Sequence, residues 1–309
     1  MEVGLSLPIK MTGEHKELYT LNARKIGVKS IWIGDNPPIN NAFLDIGRLL
    51  KGIPDIEFWT GITSPFYYSL EVLFALSIWL YSNYSKRFGL GLGIGNPDVI
   101  NDPTISKKPF THFTKTVEDL LQIVDIRKNQ VGLEDFPPLA IGGLGEKMLQ
   151  FARRNADYLL LNSISHYDIE RALNQIKETS EINKLYKIIP YGMLQIFTDD
   201  KEISLTVWNI IKDIAKTCST KILKNHGYST KKIQKIREMT WDWHSKVPKG
   251  EMLEITNDFG IVGTPEKVTE KFEELKKYSK NNYIDRFVLG WIHTYEQWDE
   301  LKLLIKMLR

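Results

Sequence analysis

The chain has 309 residues, a formal net charge of +3, 42% hydrophobic residues and 26% charged residues. These values are ordinary for a globular protein, and so small a charge does not argue for nucleic acid as a partner. Cys218 is the only cysteine, which excludes an internal disulfide and predicts a cytoplasmic protein.

Residues 1–8 lack the basic and apolar regions of a signal peptide. They predict a first strand instead. The most apolar segment, residues 66–81, is too short to span a bilayer and contains Glu71. We therefore expect no membrane anchor. This segment predicts a helix that is buried or that faces another subunit.

Strand and helix patterns alternate along the chain. Five apolar runs end in glycine, aspartate or asparagine before a helical pattern begins: residues 30–36, 58–63, 88–96, 138–143 and 158–162. Runs that are apolar throughout are typical of strands buried on both faces of a parallel sheet. Residues 187–196 and 286–291 predict two further strands. Helices are predicted over residues 41–50, 69–84, 145–155 and 167–180, with others near residues 117–124, from about 199, and from 264.

Eight strands, each followed by a helix, predict a closed α/β barrel of the (β/α)8 TIM type, as a single domain over residues 1–309. A doubly wound open sheet is the alternative. Residues 216–260 predict a helical insertion before the last strand. Within it, residues 216–249 are rich in lysine and include Trp241 and Trp243. This stretch is either a solvated helical excursion or a surface for an acidic ligand or nucleic acid.

The strongest local signal is a glycine-rich turn. A strand that runs through Gly142, Gly143 and Gly145 into a helix leaves free backbone N–H groups, which can hold an anion. Lys147 would add a positive charge. A tight turn that needs glycine for packing explains the same pattern, so both interpretations stay open. The Gly-Lys-Ser/Thr ending of a Walker loop is absent.

A second glycine pattern lies in the fourth predicted strand. Gly89, Gly91, Gly93 and Gly95 alternate, so they point to one face of the strand. In a barrel this thins the interior or opens room beneath a ligand. A Rossmann fingerprint would need its glycines in the turn after the strand.

Asp35 stands just past the second strand, at the carboxyl end where TIM barrels keep their active sites. It would act as an acid or base, hydrogen-bond a cofactor, or cap a helix or turn. His166 and His293 follow strands at the same end. Neither has a partner at metal-binding spacing, so we expect no metal site.

Taken together, these segments resemble the luciferase-like barrel superfamily, and within it the coenzyme F420-dependent oxidoreductases that include methylenetetrahydromethanopterin reductase. The resemblance rests on residues 27–35, 60–65, 87–93, 141–149 and 262–266. It implies a (β/α)8 barrel that binds coenzyme F420, or alternatively FMN, at its carboxyl mouth. It further implies hydride transfer between F420 and a small organic substrate, for which a methylene-tetrahydropterin is the candidate.

The resemblance also implies a site. It places the cofactor phosphate at the glycine-rich turn and the ring near Asp35 and a bulge of the third strand. Relatives carry a non-proline cis peptide in this bulge, which would be Gly61–Ile62 here. Asp35 is the candidate proton donor. The expected cofactor contacts are Asp35, Asn36, Gly61, Ile62, Thr63, Gly95, Asn96, Ile141, Gly142, Gly143, Leu144, Gly145, Lys147 and Asn162.

Homodimers are usual in this family, and the apolar helix within residues 66–81 would suit the interface. Three positions depart from the family pattern. Asn36 stands where relatives often have histidine, Ser6 where the methanopterin reductases place a carboxylate, and Asn96 begins a segment that replaces a glycine–acid ending. These departures leave two rivals open: an FMN-dependent monooxygenase, and a barrel that binds a ligand or partner without catalysis.

Overall fold

Eight parallel strands close into a barrel in the computed structural model. The structure describes residues 2–8, 11–37, 39–95, 102–131, 135–177, 186–196, 203–239, 254–278, 280–291 and 298–308. The strands of these ranges are β1 Glu2–Leu7, β2 Ser30–Ile33, β3 Glu57–Thr60, β4 Phe88–Leu92, β5 Leu139–Gly143, β6 Tyr158–Leu161, β7 Lys187–Ile196, β8 Gly260–Gly263 and β9 Arg286–Trp291.

The barrel order is β1-β2-β3-β4-β5-β6-β7-β9, with β9 pairing back to β1, and every pair is parallel. The predicted TIM barrel is therefore confirmed, and all eight predicted strands are barrel strands. The short strand β8 was not predicted; it pairs with residues 193–196 of β7, beyond the point where β6 ends. Its four residues include two glycines and run directly into a helix, so they give little strand signal.

Helices surround the barrel. In chain order they are α1 Gly13–Lys25, α2 Ala42–Gly52, α3 Leu70–Asn83, α4 Pro103–Lys107, α5 Pro109–Val131, α6 Glu146–Asn155, α7 His166–Lys177, α8 Leu205–Thr217, α9 Thr220–Asn225, α10 Thr230–Glu238, α11 Glu254–Phe259, α12 Pro265–Lys276 and α13 Trp298–Met307. Thr264 and Pro265 start α12 as predicted. Within the described ranges, no helix has both the length and the apolar character that a membrane span requires.

The predicted insertion over residues 216–260 contains α9, α10 and α11 in its described part. Both α10 and α11 pack against α8. Residues 240–253, with Trp241 and Trp243, lie outside the described residues. The insertion and the single-domain boundary therefore stay predictions.

The barrel interior is filled, and its two ends differ. Trp32 and Trp59 stack at its centre with ring centroids 4.8 Å apart. They belong to one cluster of buried side chains from six strands: Trp32, Trp59, Ala140, Leu160, Ile189 and Val288. At the amino end, Arg286 makes ion pairs of 2.6 Å with both Glu57 and Asp285. The amino end is thus closed by charges, which leaves the carboxyl mouth as the place for a ligand.

Candidate functional site

A bulge follows β3 at the carboxyl mouth. The Gly61–Ile62 peptide bond is cis, which confirms the predicted bulge. Gly61 N–H donates to Ile33 O at 2.7 Å, and Asp35 N–H donates to Ile62 O at 3.0 Å. Thr63 N–H donates to the backbone carbonyl of β4 at Gly91, also at 3.0 Å. Backbone hydrogen bonds to β2 and β4 therefore hold the bulge on both sides.

Ile62 fits into space that glycines leave free. A Cβ on Gly93 would overlap Ile62 Cδ1, and one on Gly142 would lie 3.3 Å from Ile62 Cγ2. The Ile62 side chain also packs against the interior cluster. The predicted thinning by these glycines is confirmed, and the Ile62 side chain uses the room. The structure thereby brings Gly61, Ile62 and Gly142 together.

Asp35 is buried, and both of its carboxylate oxygens accept hydrogen bonds. Ala42 N–H, at the start of α2, donates to Oδ1 at 3.0 Å. Oδ2 accepts from Thr63 Oγ1 at 2.6 Å and from Tyr68 Oη at 2.8 Å. Burial and the hydrogen bond to Asp35 raise the pKa of the Tyr68 phenol, so it remains a donor. Asp35 thus joins the bulge to α2, as the capping interpretation expects, and its role as a proton donor stays a prediction.

Asn36 lies in a tight turn beside Asp35. Its N–H donates to Asn40 O at 3.1 Å, and Asn40 N–H donates back to Asn36 O at 3.0 Å. The Asn40 side chain donates to Gly34 O at 2.7 Å and accepts from the buried Lys16 Nζ at 2.7 Å. Lys16 also pairs with Asp45. The turn is therefore fixed to both α1 and α2.

The glycine-rich turn joins β5 to α6, and glycine serves a different purpose at each position of the turn. A Cβ on Gly143 would overlap the Met148 side chain, so packing requires glycine there. Gly145 is the N-cap residue of α6 and gives no side-chain cap. Among the described residues, a Cβ on Gly145 would meet nothing within 4 Å. The packing interpretation holds at Gly143, whereas Gly145 leaves an uncapped helix start next to open space, as an anion site needs.

Other predicted contacts around this turn differ in what their side chains can do. The side chains of Ile141 and Leu144 are buried in the main hydrophobic core, so only their backbones are available to a ligand. Lys147 is exposed. Asn162 N–H donates to Gly143 O at 3.2 Å, which ties the end of β6 to the turn.

Arg171 on α7 also contacts this turn and was not predicted to do so. Its Nη2 donates to Leu144 O at 2.6 Å and to Asp168 Oδ1 at 3.1 Å. The guanidinium therefore carries a half-buried positive charge to the glycine-rich turn, where Lys147 alone was expected to supply one. The i,i+3 spacing of Asp168 and Arg171, on a helix that follows β6, is the signal that would have found it.

Asp168 is the centre of a buried polar network. Its Oδ2 accepts from Ser163 Oγ at 2.7 Å, from Ser165 Oγ at 3.0 Å and from His226 Nε2 at 2.9 Å. On the other side of the imidazole, His226 Nδ1 lies 3.7 Å from Asp258 Oδ1. The network ties the segment after α9 to α7, next to the glycine-rich turn.

These contacts determine the charge of His226. Burial would lower the pKa of the imidazole, but the hydrogen bond to Asp168 and the nearby Asp258 carboxyl raise it to about 9. Burial would likewise raise the pKa of the Asp168 carboxyl, but the His226 and Ser163 hydrogen bonds and the Arg171 charge hold it below its usual range. At neutral pH an imidazolium therefore lies between two carboxylates.

The remaining predicted residues lie at the edge of the mouth or outside the described part. Gly95 has a φ of +83°, and a Cβ there would be 2.9 Å from Ser64 Cβ. Asn96 and His293 lie outside the described residues. His166 contacts Tyr278 and lies 2.9 Å from Lys277 Nζ. Over the ranges that the structure describes, no three His, Cys, Asp or Glu side chains form a group suited to a metal ion.

Comparison with known proteins gives consistent results. A sequence model described as luciferase-like monooxygenase matches residues 14–279. The chain is 24% identical over 304 residues to 5,10-methylenetetrahydromethanopterin reductase of Archaeoglobus fulgidus, covering 90% of each protein. It superposes on the coenzyme F420-dependent tetrahydromethanopterin reductase of Methanopyrus kandleri with a TM-score of 0.75 and 18% identity, over 99% of this chain and 97% of that chain.

A second solved structure is also similar. An F420-dependent secondary alcohol dehydrogenase, in complex with an F420–acetone adduct, superposes with a TM-score of 0.68 and 15% identity, over 100% of this chain and 99% of that chain. Both superpositions extend over the whole barrel. They confirm the predicted luciferase-like TIM fold.

The buried imidazolium predicts a pH dependence of stability. The folded-state pKa of His226, about 9, exceeds the unfolded value of roughly 6.5, so its contribution is complete below pH 6.5 and is lost as the pH rises through 9. We expect His226→Gln to remove on the order of 2 kcal/mol of the fall in unfolding free energy between pH 6 and pH 10. Urea unfolding at both pH values measures it.

The exposed His15 offers a matched control for this experiment. His15→Gln should keep the pH profile of the wild type. A profile for His226→Gln that parallels the wild type would show that folding does not raise the pKa of this imidazole.

Proposed function

The chain belongs to the luciferase-like monooxygenase family, and from this we propose that it is an oxidoreductase that transfers a hydride between coenzyme F420 and a small organic substrate. One observation carries the proposal. Ile62 on its bulge reaches the glycine-rich turn at Gly142, so an apolar platform and an uncapped helix start share one mouth. A flat ring that bears a phosphate group needs these two surfaces side by side.

The residues present fit such a cofactor. Ile62 and the interior cluster beneath it offer apolar surface to a ring. The backbone N–H groups of Glu146 and Lys147, in the uncapped first turn of α6, would hold the phosphate, with Arg171 adding positive charge. When bound, the cofactor supplies the hydride, and the protein positions the reactants and excludes water.

Similarity to one relative supports a narrower proposal for the substrate. The similarity to a methylenetetrahydromethanopterin reductase supports a methylene-tetrahydropterin as the substrate. Ser6, which replaces the carboxylate expected there, speaks against this particular choice. The description of the matching family favours a second function, an FMN-dependent monooxygenase on the same mouth.

A cytoplasmic location fits the single cysteine. Cys218 is buried, and burial raises the pKa of its thiol to about 12. The thiol therefore stays protonated and unreactive near neutral pH. A chain with one cysteine forms no internal disulfide, which supports a protein that works under reducing conditions.

Cofactor titration tests the proposed function. We expect coenzyme F420 to bind at micromolar concentration. Gly145→Asp should weaken binding at least tenfold, because a carboxylate at the N-cap would occupy the anion site. Gly145→Asn adds a neutral cap of the same size and should weaken binding much less. Quenching of tryptophan fluorescence measures both constants.

The titration also separates the rivals. Tight binding of FMN with no response to coenzyme F420 would favour the monooxygenase. If neither cofactor binds at micromolar concentration, a barrel without catalysis becomes the better account.

The proposed proton donor is tested by Asp35→Asn. We expect turnover to fall by about 10²–10⁴-fold, as for the loss of a general acid, while the affinity for coenzyme F420 changes less than tenfold. Asn41→Ala is the matched control, because Asn41 caps α2 by accepting from Leu44 N–H without contributing a carboxylate. Equal losses of turnover in the two variants would show that Asp35 only caps α2.

We also propose that two copies of the chain associate through α3. Val72 and Trp79 lie seven residues apart, on one face of the helix, and are 47% and 54% exposed. The adjoining face of the helix, with Leu73 and Leu80, is buried in the core. A helix that is apolar on its outer face as well is typical of a subunit interface.

Trp79→Asp is expected to convert the dimer into a monomer, because a carboxylate would be buried in the apolar interface. Light scattering after size exclusion measures the mass. Leu303 on α13 is the matched control, since it is 62% exposed on another surface. Leu303→Asp should leave the mass unchanged, and a monomeric wild type would contradict the proposal.

A further inference from the structure

A phenol lies in the mouth on the side opposite the Ile62 bulge. Since β3 and β7 are four strands apart in an eight-stranded barrel, Ile62 and Tyr191 face each other across the interior. Both pack against the interior cluster from the carboxyl end. The function of Tyr191 is not explained by the cofactor contacts above, all of which lie on strands β2 to β6 and the segments that follow them.

A glycine makes room for this phenol. Ser6, Gly290 and Met193 are in register across β1, β9 and β7. A Cβ on Gly290 would overlap Met193 Sδ and would lie 2.9 Å from the Tyr191 hydroxyl. The gap at Gly290 lets the phenol reach across β9 towards Ser6 on β1, and the Ser6 hydroxyl lowers the pKa of the phenol as a hydrogen-bond donor.

The phenol proton has a poor acceptor. Tyr191 Oη donates to Met193 Sδ at 3.3 Å, and a thioether sulfur accepts hydrogen bonds only weakly. Burial raises the pKa of Tyr191 to about 12, against the smaller lowering by the Ser6 hydrogen bond. The hydroxyl is therefore neutral at physiological pH and remains a donor. An incoming carbonyl oxygen or imine nitrogen would be a stronger acceptor than the sulfur.

We propose that Tyr191, held in place by Ser6, donates a hydrogen bond to an acceptor atom of the substrate. The inference rests on the proposed function, because a ring that lies against Ile62 leaves the facing side of the mouth to the substrate. It names a substrate class: small neutral molecules with a carbonyl oxygen or an imine nitrogen. A cation without a lone pair would gain nothing from this donor.

Binding is tested without turnover by NMR of protein labelled with [13Cζ]tyrosine. Acetone serves as a small neutral acceptor, and dimethylammonium as a cation of similar size that only donates. We expect acetone, but not dimethylammonium, to shift the Tyr191 resonance saturably, with or without bound coenzyme F420. Tyr191→Phe assigns the signal. A Tyr191 signal that ignores acetone, or that responds equally to both probes, overturns the proposal.

Tyr158→Phe is the matched control, because Tyr158 packs against the same interior cluster from the amino end. Its removal should leave the response of Tyr191 to acetone intact. Ser6→Ala should weaken this response severalfold, because the phenol then loses the partner that orients it. An unaltered response in Ser6→Ala would remove Ser6 from the proposal.

The oxidation of reduced coenzyme F420 by acetone supplies a second readout. Tyr191→Phe should lower kcat/KM by about 10- to 100-fold, the effect of losing one hydrogen bond to the substrate. The affinity for coenzyme F420 should stay within twofold of the wild type, and a tenfold loss would make Tyr191 a cofactor contact and overturn the proposal. A wild type whose Tyr191 signal responds to acetone, but which does not bind coenzyme F420 at micromolar concentration, supports this hydrogen bond and contradicts the proposed function.

Discussion

The fit of Ile62 against the glycines of its neighbouring strands is the contact on which the mouth depends. A side chain at Gly93 would occupy the volume that the Ile62 side chain fills, and Gly142 lies just beyond it. The bulge can therefore lean inward over the stacked Trp32 and Trp59 instead of outward into solvent. Because close packing tolerates little overlap, the glycines of β4 and β5 and the isoleucine of the bulge act as one unit.

The polar groups of the barrel are divided between its ends. Arg286 and its carboxylate partners close the amino end, and the stacked indoles separate them from the mouth. At the carboxyl end, the two side-chain oxygens of Asp35 accept hydrogen bonds from three donors. The mouth is therefore apolar at its centre, with hydrogen-bond donors at the helix start and at Tyr191. Such a surface is suited to a flat, partly apolar ligand with an anionic end.

Local sequence patterns predicted the features that short stretches determine. Apolar runs gave the eight barrel strands, and the glycine-rich turn was located from its spacing before a helix. The cis bulge at Gly61–Ile62 followed only from the family resemblance, since no local rule identifies it. Contacts between distant segments were out of reach: Arg171 bonds Leu144, and His226 bonds Asp168, 58 residues away. The Ser6–Tyr191 pair likewise depends on barrel closure, which brings β1 and β7 to either side of Gly290.

The open start of α6 has a consequence for the energetics of the whole molecule. A first helical turn without a side-chain cap has unsatisfied donors, and an anion that settles on Gly145 completes it. The bound anion would then accept the hydrogen bonds that the first turn of the helix leaves unmade. By thermodynamic linkage, the folded state gains free energy in proportion to the logarithm of ligand concentration once the site is saturated. Occupancy and resistance to unfolding are two measures of one equilibrium.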